Sequence, residues 1–263
     1  MKAFIIYISS NELSVESANK TRESAIKTGG LNDVELFDGV HKDESIKMWR
    51  YFRFKLLDTP ALLWTYTQKL ECAMGCFFSH FLLWKKSIEL NERILILEHD
   101  AMFLKKYVDY EYDGVVNISE PMWIQKGSVI NGKWVDDNTP DTFKTSWEKS
   151  IDERKLQING LVERSCDCED ETIMWSYLGC QQYFLHGAQA YVVSPTASQK
   201  LIRAAETKGI LPADAHINTD NVNIADITPF CAYQNQTFSL IQTQNSPNNR
   251  ITRAKENWKR EVK

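Results

Sequence analysis

Apolar residues recur along the first half of the chain in two alternating rhythms. Residues 3–9 form a short apolar run rich in β-formers, and residues 14–28 carry helical spacing that closes on Gly29-Gly30. Glycine ends helices there because it takes the left-handed C-cap conformation without steric cost. Val34 to Phe37 reads as a second strand, and residues 43–57 as a mixed helix ending near Pro60. Residues 72–90 place Cys76, Phe77, Phe81, Leu82, Trp84 and Ile88 near helical spacing. Arg93 to Leu97 then forms a buried strand, and Val115 to Ile118 another. Strand–helix–strand alternation with short connections predicts an α/β fold, a mostly parallel sheet covered on both faces.

The rhythm dissolves between about residues 120 and 178, where "KGSVINGKWVDDNTPDTFKTSW" is polar and turn-rich and "CDCEDE" is acidic. Such a stretch reads as an insertion or long excursion with some irregular structure, lying over the sheet edge. Order returns with Tyr183 to Leu185 and a strand at Ala190 to Val193. A helix over 196–208 follows, with Pro195 at its start and Gly209 at its stop. The segmentation predicts one domain over 1–245 and a polar, basic tail over 246–263. The tail's "RITRAKENWKREVK" carries six basic residues, reading either as a solvated terminal helix or as a patch for an anionic acceptor.

Composition narrows the function classes. Of 263 residues, 43% are hydrophobic and 25% charged, enough to bury a sizeable core, and the net charge of −4 gives no basic field for nucleic acid. No stretch reaches the ~18 apolar residues of a membrane span. The apolar part of residues 1–8 is too short for a signal sequence, so a cytoplasmic setting is expected, with the six cysteines as reduced thiols. Cys72, Cys76, Cys166 and Cys168 lack the paired spacing of a zinc motif, and Cys76 reads as part of a packed helix face.

The strand over 93–97 ends on Glu98-His99-Asp100. In open α/β sheets, ligands bind outside the carboxyl ends of the strands. Side chains alternate along an extended chain, which predicts Glu98 and Asp100 on one side and His99 on the other. Two such carboxylates repel unless a cation lies near, and Mg²⁺ or Mn²⁺ takes oxygen ligands completed by substrate phosphates. The alternative is a solvated strand end whose acids cap the next turn.

The stretch "ECAMGCFFSHFLLWKKSIELNERILILEHDAMF" resembles the signature of glycosyltransferase family 25, in which a Gly-Cys-x-x-Ser-His helix leads into a strand ending Leu-Glu-Asp-Asp. Gly75, Cys76, Ser79, His80, Trp84, Leu97, Glu98 and Asp100 match in order. "HGAQAYVVSPTASQKLI" and "LPADAHI" are similar to the family's next two segments. His99 stands where the family has its middle aspartate, Ala73 where it often has glutamate, and no arginine follows the first strand's turn.

The resemblance implies a GT-A fold, with a nucleotide-sugar half over about 1–119 merged with an acceptor half over about 120–245. It also implies inverting transfer of galactose or glucose from a UDP-sugar donor to a glycan, lipopolysaccharide or other polymer acceptor; with no signal sequence expected, a bacterial or viral cytoplasmic enzyme is favoured over a secretory-pathway collagen enzyme. Glu98 and Asp100 would then hold Mn²⁺ or Mg²⁺. An inverting transfer needs a general base for the acceptor hydroxyl. Asp214 takes that role, or else caps a helix. His216 completes the metal shell, or is structural. Ser9, Ser79, His80, His99, His186 and Gly187 are the donor-side candidates; for Ser79 and His80 a core hydrogen bond, and for Gly187 a simple bend, are the alternatives. The competing functions are a non-catalytic nucleotide-sugar or carbohydrate-binding protein derived from such an enzyme, and a phosphodiesterase or nucleotidyl transferase using the same clamp.

Overall fold

The computed structural model describes residues 1–57, 70–119, 127–130, 133–136, 160–164, 184–185, 187–228 and 230–235. It opens with β1 (Lys2–Tyr7), α1 (Glu12–Lys27), β2 (Val34–Asp38) and α2 (Lys42–Phe52). The long helix α3 (Leu70–Leu90) leads into β3 (Ile94–Glu98), and β4 (Ala101–Phe103) and β5 (Val115–Asn117) follow. Then come β6 (Gly127–Ile130), β7 (Lys133–Asp136), β8 (Gly160–Glu163) and β9 (Ala190–Val193). The chain continues through α4 (Pro195–Thr207), α5 (Ala213–His216), β10 (Ile224–Thr228) and β11 (Ala232–Gln234).

Seven strands form one sheet in the order β2-β1-β3-β9-β5-β10-β8. β2, β1, β3, β5 and β10 run the same way, and only β9 and β8 oppose their neighbours. This is the mostly parallel α/β architecture that the alternation predicts. Both faces are covered, so strands read as continuous apolar runs. Phe4, Ile94, Ile96, Tyr191 and Val193 face the layer built by α3 and α4. Ala3, Ile5, Leu95, Leu97 and Val192 face the other layer, with Ala18 and Ala25 of α1 and the β4 residue Phe103. The central α3 buries Phe77, Phe81 and Trp84, each side chain contributing about 2–3 kcal/mol by removal from water.

Local chemistry sets the element ends. The Asn11 carboxamide accepts from the Ser14 N–H to start α1, and the Ser194 hydroxyl accepts from the Ala197 N–H to start α4. The helix expected to run to residue 57 stops at Phe52, because Arg53 turns left-handed at φ 55°. Within the excursion expected over 120–178, the described residues include β6 paired with β7, and β8 as an antiparallel edge strand of the main sheet. A four-residue edge strand carries too little periodicity to be read. Position 186 and the tail lie outside the described residues.

Candidate active site

The register fixes which strand ends meet. Tyr7 sits opposite Asp38 on one side of β1, and Ile6 opposite Glu98 on the other. Leu97 sits opposite Ala190 of β9. The carboxyl ends of β2, β1 and β3 therefore share one sheet edge, with residues 187–189 arriving beside them.

The Gly-Cys-x-x-Ser-His segment divides into two pairs, each one helical turn apart on α3. Gly75 lets α3 touch the loop after β2, since a Cβ there would lie 2.5 Å from the Val40 carbonyl oxygen. Ser79 Oγ accepts from the Val40 N–H at 2.8 Å and donates to the Gly75 carbonyl at 2.7 Å. Cys76 and His80 instead face Glu98: Cys76 Sγ lies 3.6 Å, and His80 Nε2 3.5 Å, from Glu98 Oε1. Behind them, His80 Nδ1 is 2.8 Å from the Tyr191 hydroxyl, which accepts from the Trp84 indole N–H at 3.0 Å. Indole can only donate, so the Tyr191 O–H is left for His80 Nδ1, and the imidazole turns its Nε2–H toward Glu98. Burial lowers His80 to about 4, so it is neutral at physiological pH.

Beyond Glu98 the chain leaves the extended conformation, and residues 99 and 100 form a turn. The alternation argument for Glu98 and Asp100 therefore stops at the strand's last residue. Tertiary contacts do what alternation does not. Thr21 Oγ1 of α1 donates to the His99 carbonyl at 2.6 Å. The Asn235 N–H donates to the Asp100 carbonyl, and Gln234 Nε2 to Asp100 Oδ2, both at 2.8 Å. Asp100 is 3% exposed, and its Oδ1 is buried with no hydrogen-bond partner among the described residues.

Three carboxyl groups converge here. Burial, then repulsion from Asp214, raises Glu98 to about 8. Burial, then repulsion from Glu98, raises Asp100 to about 7. Burial also raises Asp214, against the pull of the Ala215, Asp214 and Gly187 N–H groups that its carboxylate accepts. Glu98, 23% exposed at its side chain, and Asp214, half-buried, reach the rim, whereas Asp100 is buried.

A second cluster lies across β1. Ser9 donates from its N–H and its hydroxyl to the two oxygens of Asp38, at 3.0 and 2.6 Å. His41 Nε2 is 3.4 Å from Asp38, and the Ser10 hydroxyl 3.2 Å from His41 Nδ1. Neither Asp38 nor His41 belongs to the motif positions, yet the strand-end rule that finds Glu98 also finds Asp38. Gln234, Tyr191 and Trp84 carry no sequence signal for their roles, because their partners are far along the chain.

Several expected site residues sit elsewhere. His216 is fully buried, stacked on Trp84 at 5.7 Å and edge-on to Phe77 at 5.2 Å, with Nε2–H donating to the Leu201 carbonyl at 3.0 Å. That is a core histidine, and its assignment as a metal ligand is corrected: indole and phenyl rings enclose the imidazole. Ser79 is 1% exposed with its hydrogen bonds used inside the fold, and His80 is fully buried behind Glu98. Gly187 adopts φ 84° and makes the bend, and its N–H holds Asp214. Of the expected residues, Ser9, Glu98, His99, Asp100, Gly187 and Asp214 lie along the carboxyl edge.

Converging carboxylates and a polar serine–aspartate cluster thus lie side by side at the strand ends of an α/β protein. The sequence model of glycosyltransferase family 25 (LPS biosynthesis protein) matches residues 13–217, and the chain belongs to that family; it is a glycosyltransferase. No curated protein matches. Among solved structures, apo mouse xyloside xylosyltransferase 1 is similar with a TM-score of 0.30 and 12% identity, over 82% of this chain and 78% of that one. Among the described residues, no helix is long and apolar enough to cross a membrane.

Proposed function

We propose that the protein is a metal-dependent, inverting hexosyltransferase of GT-A type. It moves galactose or glucose from a UDP-sugar to a hydroxyl of a glycan, lipopolysaccharide or other polymer. The observation that carries this reading is the convergence of Glu98, Asp100 and Asp214, with Asp100 Oδ1 buried and without a hydrogen-bond partner among the described residues. Carboxylates that raise one another's proton affinity are ones a cation relieves, and a buried oxygen without a donor suits a hard ion. The residues fit Mn²⁺ or Mg²⁺, with Asp100 and Glu98 holding it. When bound, such an ion neutralises charge on the departing diphosphate.

The chain's own residues supply the rest. Asp38, held by Ser9, lies two strand spacings from Glu98, roughly 10 Å, and this pair serves the nucleoside end of the donor while the β3 end serves the diphosphate. Thr21 and Gln234 hold the turn that aims Asp100. Asp214 accepts the proton of the acceptor hydroxyl at a carboxylate oxygen, and its raised proton affinity brings it closer to what a general base needs at neutral pH.

The test is donor hydrolysis and binding. UDP-sugars mixed with the protein and Mn²⁺ should release UDP slowly without acceptor, and Asp100→Ala should abolish release. Calorimetry that finds no nucleotide sugar bound in the presence of Mn²⁺ overturns the reading. Release of nucleoside monophosphate would favour the phosphodiesterase instead.

A further inference from the structure

We propose that Cys76, His80 and Glu98 form a binding site for a borderline divalent cation such as Zn²⁺, adjoining the oxygen site centred on Asp100 and sharing Glu98 with it. The ligand atoms Sγ, Nε2 and a carboxylate oxygen all lie within 4.8 Å of one another. Two of the separations decide between readings. The 3.5 Å from His80 Nε2 to Glu98 Oε1 is long for an N–H···O hydrogen bond, whose usual range is about 2.7–3.2 Å. Around a tetrahedral zinc, bond lengths of about 2.0–2.3 Å place neighbouring ligand atoms roughly 3.3–3.6 Å apart. The observed 3.5 Å, and the 3.6 Å from Cys76 Sγ to Glu98 Oε1, fall at that spacing. Glu98 Oε1 thus stands at such a spacing from both Cys76 Sγ and His80 Nε2, and all three atoms lie within 4.8 Å of one another.

The donor set selects the metal. One thiol, one imidazole and one carboxylate suit zinc or cobalt, whereas Mg²⁺ prefers oxygen alone. The second shell is in place as well. A metal-bound histidine hands its other N–H to an acceptor, and Tyr191 Oη stands 2.8 Å from His80 Nδ1. Without metal, the Tyr191 O–H donates to Nδ1; with metal on Nε2, Nδ1–H donates to the phenol oxygen, which also accepts from Trp84. Binding releases the thiol proton of Cys76 and any proton held by Glu98, with no redox change. Cys76 and Glu98 are half-buried, so the fourth position opens toward the rim where Asp214 lies.

Glu98 is shared with the oxygen site, so zinc should inhibit turnover competitively with Mn²⁺. That consequence rests on the proposed function; the site itself does not.

The test uses the full chain, freed of metal and titrated with Co²⁺. A near-ultraviolet thiolate-to-cobalt charge-transfer band should appear, be displaced by Zn²⁺, persist in Asp100→Asn and Cys231→Ser, and vanish in Cys76→Ser. His80→Gln should weaken cobalt binding by at least about 10-fold while far-ultraviolet circular dichroism stays unchanged. Absence of the band in the wild-type chain, or its persistence in Cys76→Ser, overturns the proposal. A cobalt band in a protein that binds no nucleotide sugar sinks the proposed function and leaves this site standing.

Discussion

The ends of β2 and β3 lie at the same edge of one sheet, separated by β1, and treat their carboxylates in opposite ways. At β2, burial pushes Asp38 up, but two bonds from Ser9 and the nearby His41 outweigh it and hold the carboxyl below its ordinary range. At β3, Glu98 is pushed up by burial and by Asp214, Asp100 by burial and by Glu98, and Asp100 Oδ1 has no donor among the described residues. The first end is complete as folded. The second is left unbalanced, and an unbalanced cluster at an accessible rim is where a cation and a charged substrate gain most. Helix α3 braces both ends, Gly75 and Ser79 holding the loop after β2 while Cys76 and His80 hold Glu98.

The largest effect should come from relieving the unbalanced end. Asp214→Asn should lower turnover about 10²–10⁴-fold, the range for a general base, and Asp100→Asn should do so through lost metal dependence. Both should raise the melting temperature of the metal-free protein at pH 8, because each removes a carboxylate from a repelling group. Differential scanning fluorimetry beside a UDP-release assay checks the pair. If stability and turnover fall together, these are structural acids and the contrast between the two ends fails.

The shared brace comes next. Gly75→Ala would drive a Cβ to 2.5 Å from the Val40 carbonyl, a backbone atom that cannot swing aside. The expected cost is about 2–3 kcal/mol, read as a lower urea midpoint at unchanged slope. Tyr191→Phe should cost about 1–3 kcal/mol, since it leaves the Trp84 N–H and His80 Nδ1 buried without their partner. It should also raise the Mn²⁺ concentration needed for half-maximal turnover, a change that loss of packing alone would not produce.

Much of this was legible in the sequence and some was not, for local reasons. The strand over 93–97 and the helix after Ser194 were readable because continuous apolar runs, Pro195 and Gly209 are short-range signals. The places of Glu98, Asp100 and Asp214 near strand and helix ends were legible from the same short-range signals. The role of His216 was not, since only its three-dimensional neighbours Trp84 and Phe77 show that it is core. Cys76 escaped a search for cysteine pairs because its partners are a histidine one helical turn away and a glutamate on a strand. The Gly-Cys-x-x-Ser-His segment suggested donor contacts at Ser79 and His80; the Ser79 hydroxyl bonds the Val40 N–H and the Gly75 carbonyl, and His80 binds Tyr191 through Nδ1 while Nε2 faces Glu98.

The two ends should also answer pH in opposite directions, which is measurable on metal-free protein in chelator. Glu98 is raised from its ordinary 4.5 to about 8, so the folded state binds its proton more tightly than the unfolded chain. The stability this contributes is fully present below 4.5 and is lost as pH rises through about 8. Saturating Mn²⁺ should flatten that limb, because the ion replaces the protons.

Asp38 is lowered from 3.8, so its contribution is present above 3.8 and lost as pH falls through the folded value. Ser9→Ala isolates this smaller effect. It removes the hydroxyl bond but leaves the Ser9 N–H on Asp38, and the pair is exposed, so the expected loss at pH 7 is under about 1 kcal/mol. The acid limb alone should move, toward higher pH, while the alkaline limb set by Glu98 stays in place. Acid and alkaline melting profiles of the variant check this directly: movement of both limbs would mean that the two ends are one coupled network rather than a finished site beside an unfinished one.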